Sequence, residues 1–187
     1  DAGIDMMPSE LRTYENITHF LTRRFDRIGN EKIHVQTLAA MSPSSDSYED
    51  IFAVIRRLNL PYEDSKQQYL RMVFNVIARN VDDHSKNFSF CMNRSGAWRL
   101  SPAYDLTYSV DLTAPAYSNR HSLTVNGQNE DITREDLETV GQNNDIQDYK
   151  ALIAIVTGAV AKFEDYAREM GIEETLITAI KGDFIKM

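Results

Sequence analysis

The residues best equipped for chemistry lie in one polar run, Asp82-Asp83-His84-Ser85-Lys86-Asn87. Asp82 and Asn87 have four residues between them, the D-x-x-x-x-N spacing of a protein-kinase catalytic loop. In that chemistry the aspartate accepts or orients the proton of an attacking hydroxyl. The asparagine carbonyl, a short turn later, holds a magnesium ion that bridges phosphates. A second aspartate must follow the loop and bind metal directly, and Asp105 stands where a returning chain would present it. Asp83 is a rival for the base, but it lies only four positions before Asn87 and misses the spacing. Lys86 would neutralise a transferring phosphoryl group, and His84 would orient the loop.

The spacing alone recurs by chance, and an acidic run after a helix is ordinarily a solvated loop. The reading gains weight from the order of three parts: a buried helix, the polar run, and a hairpin leading to Tyr104-Asp105. A hydrolytic metal site at Asp82, Asp83, His84 and Asp105 competes with it. Such sites usually recruit additional histidines, and the remaining ones, His19, His34 and His121, are scattered.

The elements that must position these residues follow from hydrophobic period and turn signals. Residues 11–14 and 19–23 read as strands either side of Glu15-Asn16, a hairpin turn. Gly29-Asn30 is a break, and residues 34–41 read as a short helix. Ser47 closes a polar loop and is placed to cap a helix carrying Ile51, Val54, Ile55 and Leu58 on one stripe. Pro61 opens a second helix, whose broad apolar face (Tyr69, Leu70, Val73, Phe74, Val76, Ile77) must lie deep in the core. It ends near Arg79-Asn80. A hairpin follows the polar run, with Asn93 to Gly96 as its turn. Residues 107–129 have no strong period and read as an extended loop. Thr133 with Asp136 resembles a capping box for a helix stopping before Gly141. A long helix over 147–170 ends at Gly171, and a short one covers 173–181. The fold class is α+β, mainly helical, with strands confined to the opening and the central hairpin.

Composition sets the outer bounds. The 187 residues predict one domain, and the composition, 42% hydrophobic and 26% charged, is that of an ordinary globular chain. The net charge of −8 argues against a general nucleic-acid or anionic-membrane surface. Cys91 is the single cysteine, which excludes an intrachain disulfide or a multi-cysteine zinc site and fits a reducing, cytoplasmic setting. The longest apolar stretch, residues 151–161, is far short of the ~20 residues of a membrane helix.

The segments from Asp82 to Phe90 and from Trp98 to Leu106 together resemble the C-terminal kinase region of HipA-family toxins. Arg24-Phe25-Asp26-Arg27 matches the same family, as do His121-Ser122-Leu123 and Val125-Asn126-Gly127. The resemblance implies a protein-kinase-like C-terminal lobe over residues 1–187, with a hinge and strand region over 1–30 and a mainly helical lobe over 31–187. It implies an ATP- and magnesium-dependent serine/threonine kinase from a bacterial toxin–antitoxin module. Asp82 would be the catalytic base, and Asn87 and Asp105 would bind Mg2+. The hinge backbone around Phe25 would contact the adenine of ATP, and Asp26 would lie near the ribose. The implied partners are a protein substrate, of which an aminoacyl-tRNA synthetase is the family type, and a DNA-binding antitoxin.

One departure matters. No two of the eight glycines are closer than eleven residues, so no G-x-G or Walker-type phosphate loop is present. The chain is therefore expected to be the back half of an enzyme, with the N-terminal lobe supplied elsewhere on the same polypeptide or by a separate chain. The alternative is a non-catalytic subunit of a split toxin that binds a partner protein. Among the remaining residues, Phe25 reads equally well as a core aromatic, Trp98 as hairpin packing, and Cys91 as a buried small residue. Arg23, Arg24 and Arg27 read as a solvated basic cluster, and His121 as structural or near the site.

Overall fold

Helix α3 (Tyr62–Ile77) is the spine on which the other elements are assembled in the computed structural model, which describes residues 1–115 and 118–187. Its apolar residues Tyr69, Leu70, Met72, Val73, Val76 and Ile77 are buried. They pack against α2 (Tyr48–Arg57) on one side and α5 (Tyr149–Val160) on the other. Pro61 is the N-cap of α3, one position outside the helix, where a missing N–H costs nothing.

The start of α2 shows how local sequence fixes an element. The Ser47 hydroxyl accepts from the Asp50 N–H, and the Asp50 side chain accepts from the Ser47 N–H. That reciprocal pair satisfies two otherwise orphaned donors. Thr133 and Asp136 repeat the arrangement at α4 (Arg134–Asn143). α4 does not stop before Gly141; it runs through it. A Cβ at Gly141 would lie 2.8 Å from Tyr149 Cβ and 3.1 Å from the Tyr69 hydroxyl. The glycine therefore serves a close helix–helix approach rather than termination.

Among the described residues the strands form three separate sheets. β1 (Ser9–Tyr14) and β2 (Ile17–Thr22) pair antiparallel, Leu11 opposite Phe20 and Tyr14 opposite Ile17. Glu15 and Asn16 between them both have positive φ, 48° and 65°, the requirement of a tight two-residue hairpin turn. β3 (Arg27–Ile28) and β4 (Glu31–Lys32) close a small ladder around Gly29-Asn30. The third is a three-stranded sheet, β5 (His34–Thr37), β6 (Ser89–Met92) and β7 (Trp98–Leu100), in that spatial order. Residues 34–41 are thus not one helix. The first four are strand, and only α1 (Leu38–Met41), capped by Thr37, is helical. Pairing with β6 supplies hydrogen bonds that a short isolated helix could not match.

The expected helix over 147–170 is two, α5 and α6 (Phe163–Glu169), with a turn at Ala161-Lys162. The turn seats Phe163 against Phe184, ring centroids 5.2 Å apart. Ile155 and Met170, apolar residues of the expected long helix, are exposed. α7 (Glu174–Asp183) closes the chain against α6. No helix among the described residues is long and apolar enough to cross a membrane.

Candidate active site

The polar run opens where α3 gives out. Arg79 takes a left-handed conformation, φ 58°, and the Asn80 N–H returns to the Asn75 carbonyl at 2.9 Å. The chain then runs extended through Asp82 and makes one short 3-10 turn over Ser85–Asn87. Asp82 projects its carboxylate into solvent, with 65% of the side chain exposed. Its N–H donates to the Ser109 hydroxyl at 3.0 Å, and its carbonyl accepts from Asn87 Nδ2, also at 3.0 Å. The second bond uses the amide nitrogen of Asn87 and leaves its carbonyl oxygen free to meet a cation.

Asp83 points the opposite way. It is completely buried. Oδ2 accepts from the Tyr48 hydroxyl at 2.6 Å and from His121 Nδ1 at 2.8 Å; Oδ1 accepts from the Ser122 N–H at 2.8 Å. Burial and the adjacent Asp83 carboxylate hold the Tyr48 phenol well above its usual range. A carboxylate occupied in this way cannot accept a substrate proton. Among the described residues no three His, Cys, Asp or Glu side chains converge on a metal-sized site, so the four-residue hydrolytic site is not assembled.

Asp105 follows β7 and is exposed in a left-handed conformation, φ 56°. Its carbonyl accepts from Asn80 Nδ2 at 3.1 Å. Among the described residues its carboxylate accepts no hydrogen bond and forms no ion pair, so both oxygens are open to a ligand. Asn87 and Asp105 line one small cleft together. Asp105 also lines a large cavity, about 830 Å³, whose walls include Phe20, Phe25, Asp26 and Tyr104. Two oxygen donors beside an open space fit a hard divalent ion that keeps waters and takes phosphate oxygens for the rest of its shell.

The other side of that cavity is built by the segment after β2. Phe25 is half-buried and stacks on Tyr104, centroids 5.6 Å apart. The Tyr104 hydroxyl donates to the Lys86 carbonyl at 2.7 Å and contacts the Ser89 hydroxyl. One tyrosine therefore connects the 25–26 segment to the polar run. Asp26 receives Arg24 Nε and Nη2, each at 2.7 Å, and a further bond from Arg27. The hydrogen bond from Arg24, with the charges of both arginines, lowers its pKa to about 2. Of the expected basic cluster, Arg24 and Arg27 are thus committed to Asp26. Lys86 is exposed on the 3-10 turn, and neither it nor Asp82 lines the large cavity.

The remaining candidates have plainer roles. Trp98 packs edge-on against His34, and Cys91 is half-buried in β6, where burial raises its thiol to about 11. Sequence reasoning missed the polar side chains beneath the site: Tyr48, Arg71, Asn75 and Asn80, all buried. Asp64, Gln68, Arg71 and Asn75 recur at spacings of four, three and four along α3. That helical period was the available signal.

The HipA-like C-terminal domain family matches residues 1–183. The chain belongs to that family. A curated relative of this HipA-like chain is the protein named "Putative kinase Y4mE" from Sinorhizobium fredii, 26% identical over 124 residues, covering 58% of the chain and 29% of the relative. A solved structure, from the complex of the Shewanella oneidensis MR-1 toxin–antitoxin proteins HipA and HipB with operator DNA, superposes with a TM-score of 0.73 at 17% identity. The match covers 97% of this chain and 50% of that one. At that identity the superposition establishes the fold. The HipA-like chain spans half or less of the length of the proteins it matches.

Proposed function

We propose that this chain is the catalytic lobe of an ATP- and magnesium-dependent serine/threonine protein kinase of HipA type, completed by a lobe that covers the nucleotide phosphates. The observation that carries this reading is Asp105. It lines the cleft that also contains Asn87 and the large cavity walled by Phe25 and Asp26, so the proposed metal ligands and the proposed nucleotide hinge would meet at one residue. Magnesium, when bound, would neutralise charge on the phosphates, held by the Asn87 carbonyl and the Asp105 carboxylate. The exposed Asp82 carboxylate would take the proton from a serine or threonine hydroxyl of a substrate protein as the phosphoryl group passes to it, with ADP leaving. Lys86 would screen the transferring group. Phe25 would offer its backbone to the adenine, and Asp26, fixed by Arg24 and Arg27, would stand near the ribose.

The kinase named among the relatives and the HipA–HipB–DNA complex among the structures support this reading and a DNA-binding antitoxin partner. An aminoacyl-tRNA synthetase is the substrate class the family resemblance suggests, and the lone, half-buried cysteine agrees with a cytoplasmic setting. Calorimetric titration of ATP with magnesium into the chain tests the site. Binding is expected in the parent and lost in Asp105→Asn. Equal affinity in both would remove Asp105 from the metal site and the reading with it.

A second reading, a non-catalytic subunit that docks a partner protein, draws on one observation. The β1–β2 hairpin exposes Leu11 and Phe20 on one face and Tyr14, Ile17 and Leu21 on the other. If a partner-completed assembly bound no nucleotide, this reading would replace the first.

A further inference from the structure

Six polar side chains to which no chemical step is assigned, five of them buried and Ser109 half-buried, form one hydrogen-bonded line beneath the site. The line starts at His121, whose Nδ1 donates to Asp83. Tyr48 donates to the same carboxylate, and Asn75 Nδ2 donates to the Tyr48 hydroxyl at 2.9 Å. Asn80 Nδ2 donates to Asn75 Oδ1 at 3.0 Å and to the Asp105 carbonyl at 3.1 Å. The Ser109 hydroxyl donates to Asn80 Oδ1 at 3.2 Å and accepts the Asp82 N–H at 3.0 Å.

Asn80 therefore has both ends of the site in its hands. It holds the backbone of Asp105 directly and that of Asp82 through one hydroxyl. Neither carboxylate accepts a hydrogen bond among the described residues, and that of Asp82 has only a long contact of 3.9 Å with His84 Nε2; both aspartates are exposed. Asp105 is also a non-glycine residue in the left-handed region, a conformation that persists only when neighbours impose it. A side-chain amide buried to 2% exposure cannot exchange its partners for water, so its bonds are worth keeping made.

We propose that Asn80 is a positioning residue. It sets the backbone of the 82–87 loop against that of Asp105, and the Asn75–Tyr48–Asp83 relay ties that setting to the 121–123 segment. The consequence for nucleotide binding rests on the kinase reading; the coupling itself does not.

The test is amide hydrogen exchange together with Mg2+·ATP calorimetry on the chain and two variants. In Asn80→Ala the Asp82 and Ser122 amides are expected to exchange at least about tenfold faster while α5 amides keep their protection, and Mg2+·ATP affinity is expected to fall by about tenfold. In Ser109→Ala only the Asp82 arm is cut. The Asp82 amide is expected to be released, with the Ser122 amide and the nucleotide affinity both within about threefold of the parent. A merely structural asparagine would instead loosen α5 along with the site. The proposal is overturned if Asn80→Ala leaves the Asp82 and Ser122 amides unchanged, or loosens the whole lobe uniformly. Should Asn80→Ala not fold, an unchanged Asp82 amide in Ser109→Ala overturns it, and a selective release upholds it. If the parent binds no nucleotide but the exchange pattern appears, the kinase reading fails and the positioning role stands.

Discussion

The β1–β2 hairpin and the loop after α3 carry residues of the same candidate site and are built on opposite principles. Every residue of β1 and β2 is exposed, and each strand of that ladder has the other as its partner. Its geometry is local, set by a two-residue turn and cross-strand pairs. The 80–87 loop has no ladder at all. It is held by side chains and backbone groups from α2 and the 109–123 segment, over sequence separations of 27 to 39 residues, and by Asn75 of α3, five residues before Asn80. A hairpin of two strands is marginal by itself, whereas a buried, satisfied polar network resists local opening. One region can adapt to whatever it meets, and the other holds the exposed carboxylate of Asp82 on a rigid base.

The sharpest way to break this contrast is Asp83→Ala. It removes the acceptor of Tyr48, His121 and the Ser122 N–H at a fully buried position. Orphaning such groups should cost roughly 3 kcal/mol or more of unfolding free energy, read as a lowered urea midpoint. Asp82→Asn, one residue away and exposed, should change stability by no more than about 0.5 kcal/mol. A small effect at Asp83 would mean that the loop is held by its backbone alone.

A smaller effect is expected just after the hairpin, at Asp26. Its folded carboxyl titrates at about 2, below the ~3.9 of an unfolded aspartate. A depressed folded value contributes stability above the unfolded value and loses it as pH falls from about 4 toward 2. The Arg24→Ala variant should move the Asp26 titration, followed by NMR, upward toward the ordinary range and flatten the acid limb of stability. An unmoved midpoint would assign the shift to Arg27 instead.

How legible these two regions are in the sequence differs for a physical reason. The hairpin turn, the Ser47 and Thr133 caps and the D-x-x-x-x-N loop are contiguous signals, and each stands where the residues put it. The placement of Asp105 in one cleft with Asn87 was legible because a hairpin returns the chain over a fixed length. The Asn75–Asn80–Ser109 relay was not, since its members come from separate segments and each is an unremarkable polar residue by itself. Residues 34–37 were misread for the same reason: nothing nearby announces a strand whose partner, β6, begins more than fifty residues later. The break at 161–162 escaped because the apolar stripe continues across it.

The smallest expected effect is at the tip of the hairpin. Tyr14 and Ile17 face one another across β1 and β2, and they are 68% and 61% exposed. Such a pair is worth about 0.2–1 kcal/mol to its own ladder, and nothing else in the fold leans on it. The double variant Tyr14→Ser, Ile17→Ser should therefore leave the global unfolding midpoint within error while accelerating exchange of the β1 and β2 amides alone. Those amides should already exchange far faster than the amides of α3, because they open without disturbing the core. If they prove as protected as α3, the hairpin is covered in solution, by a second copy or by another polypeptide. Its apolar residues would then count as an interface, and the contrast with the loop would be one of partner rather than of rigidity.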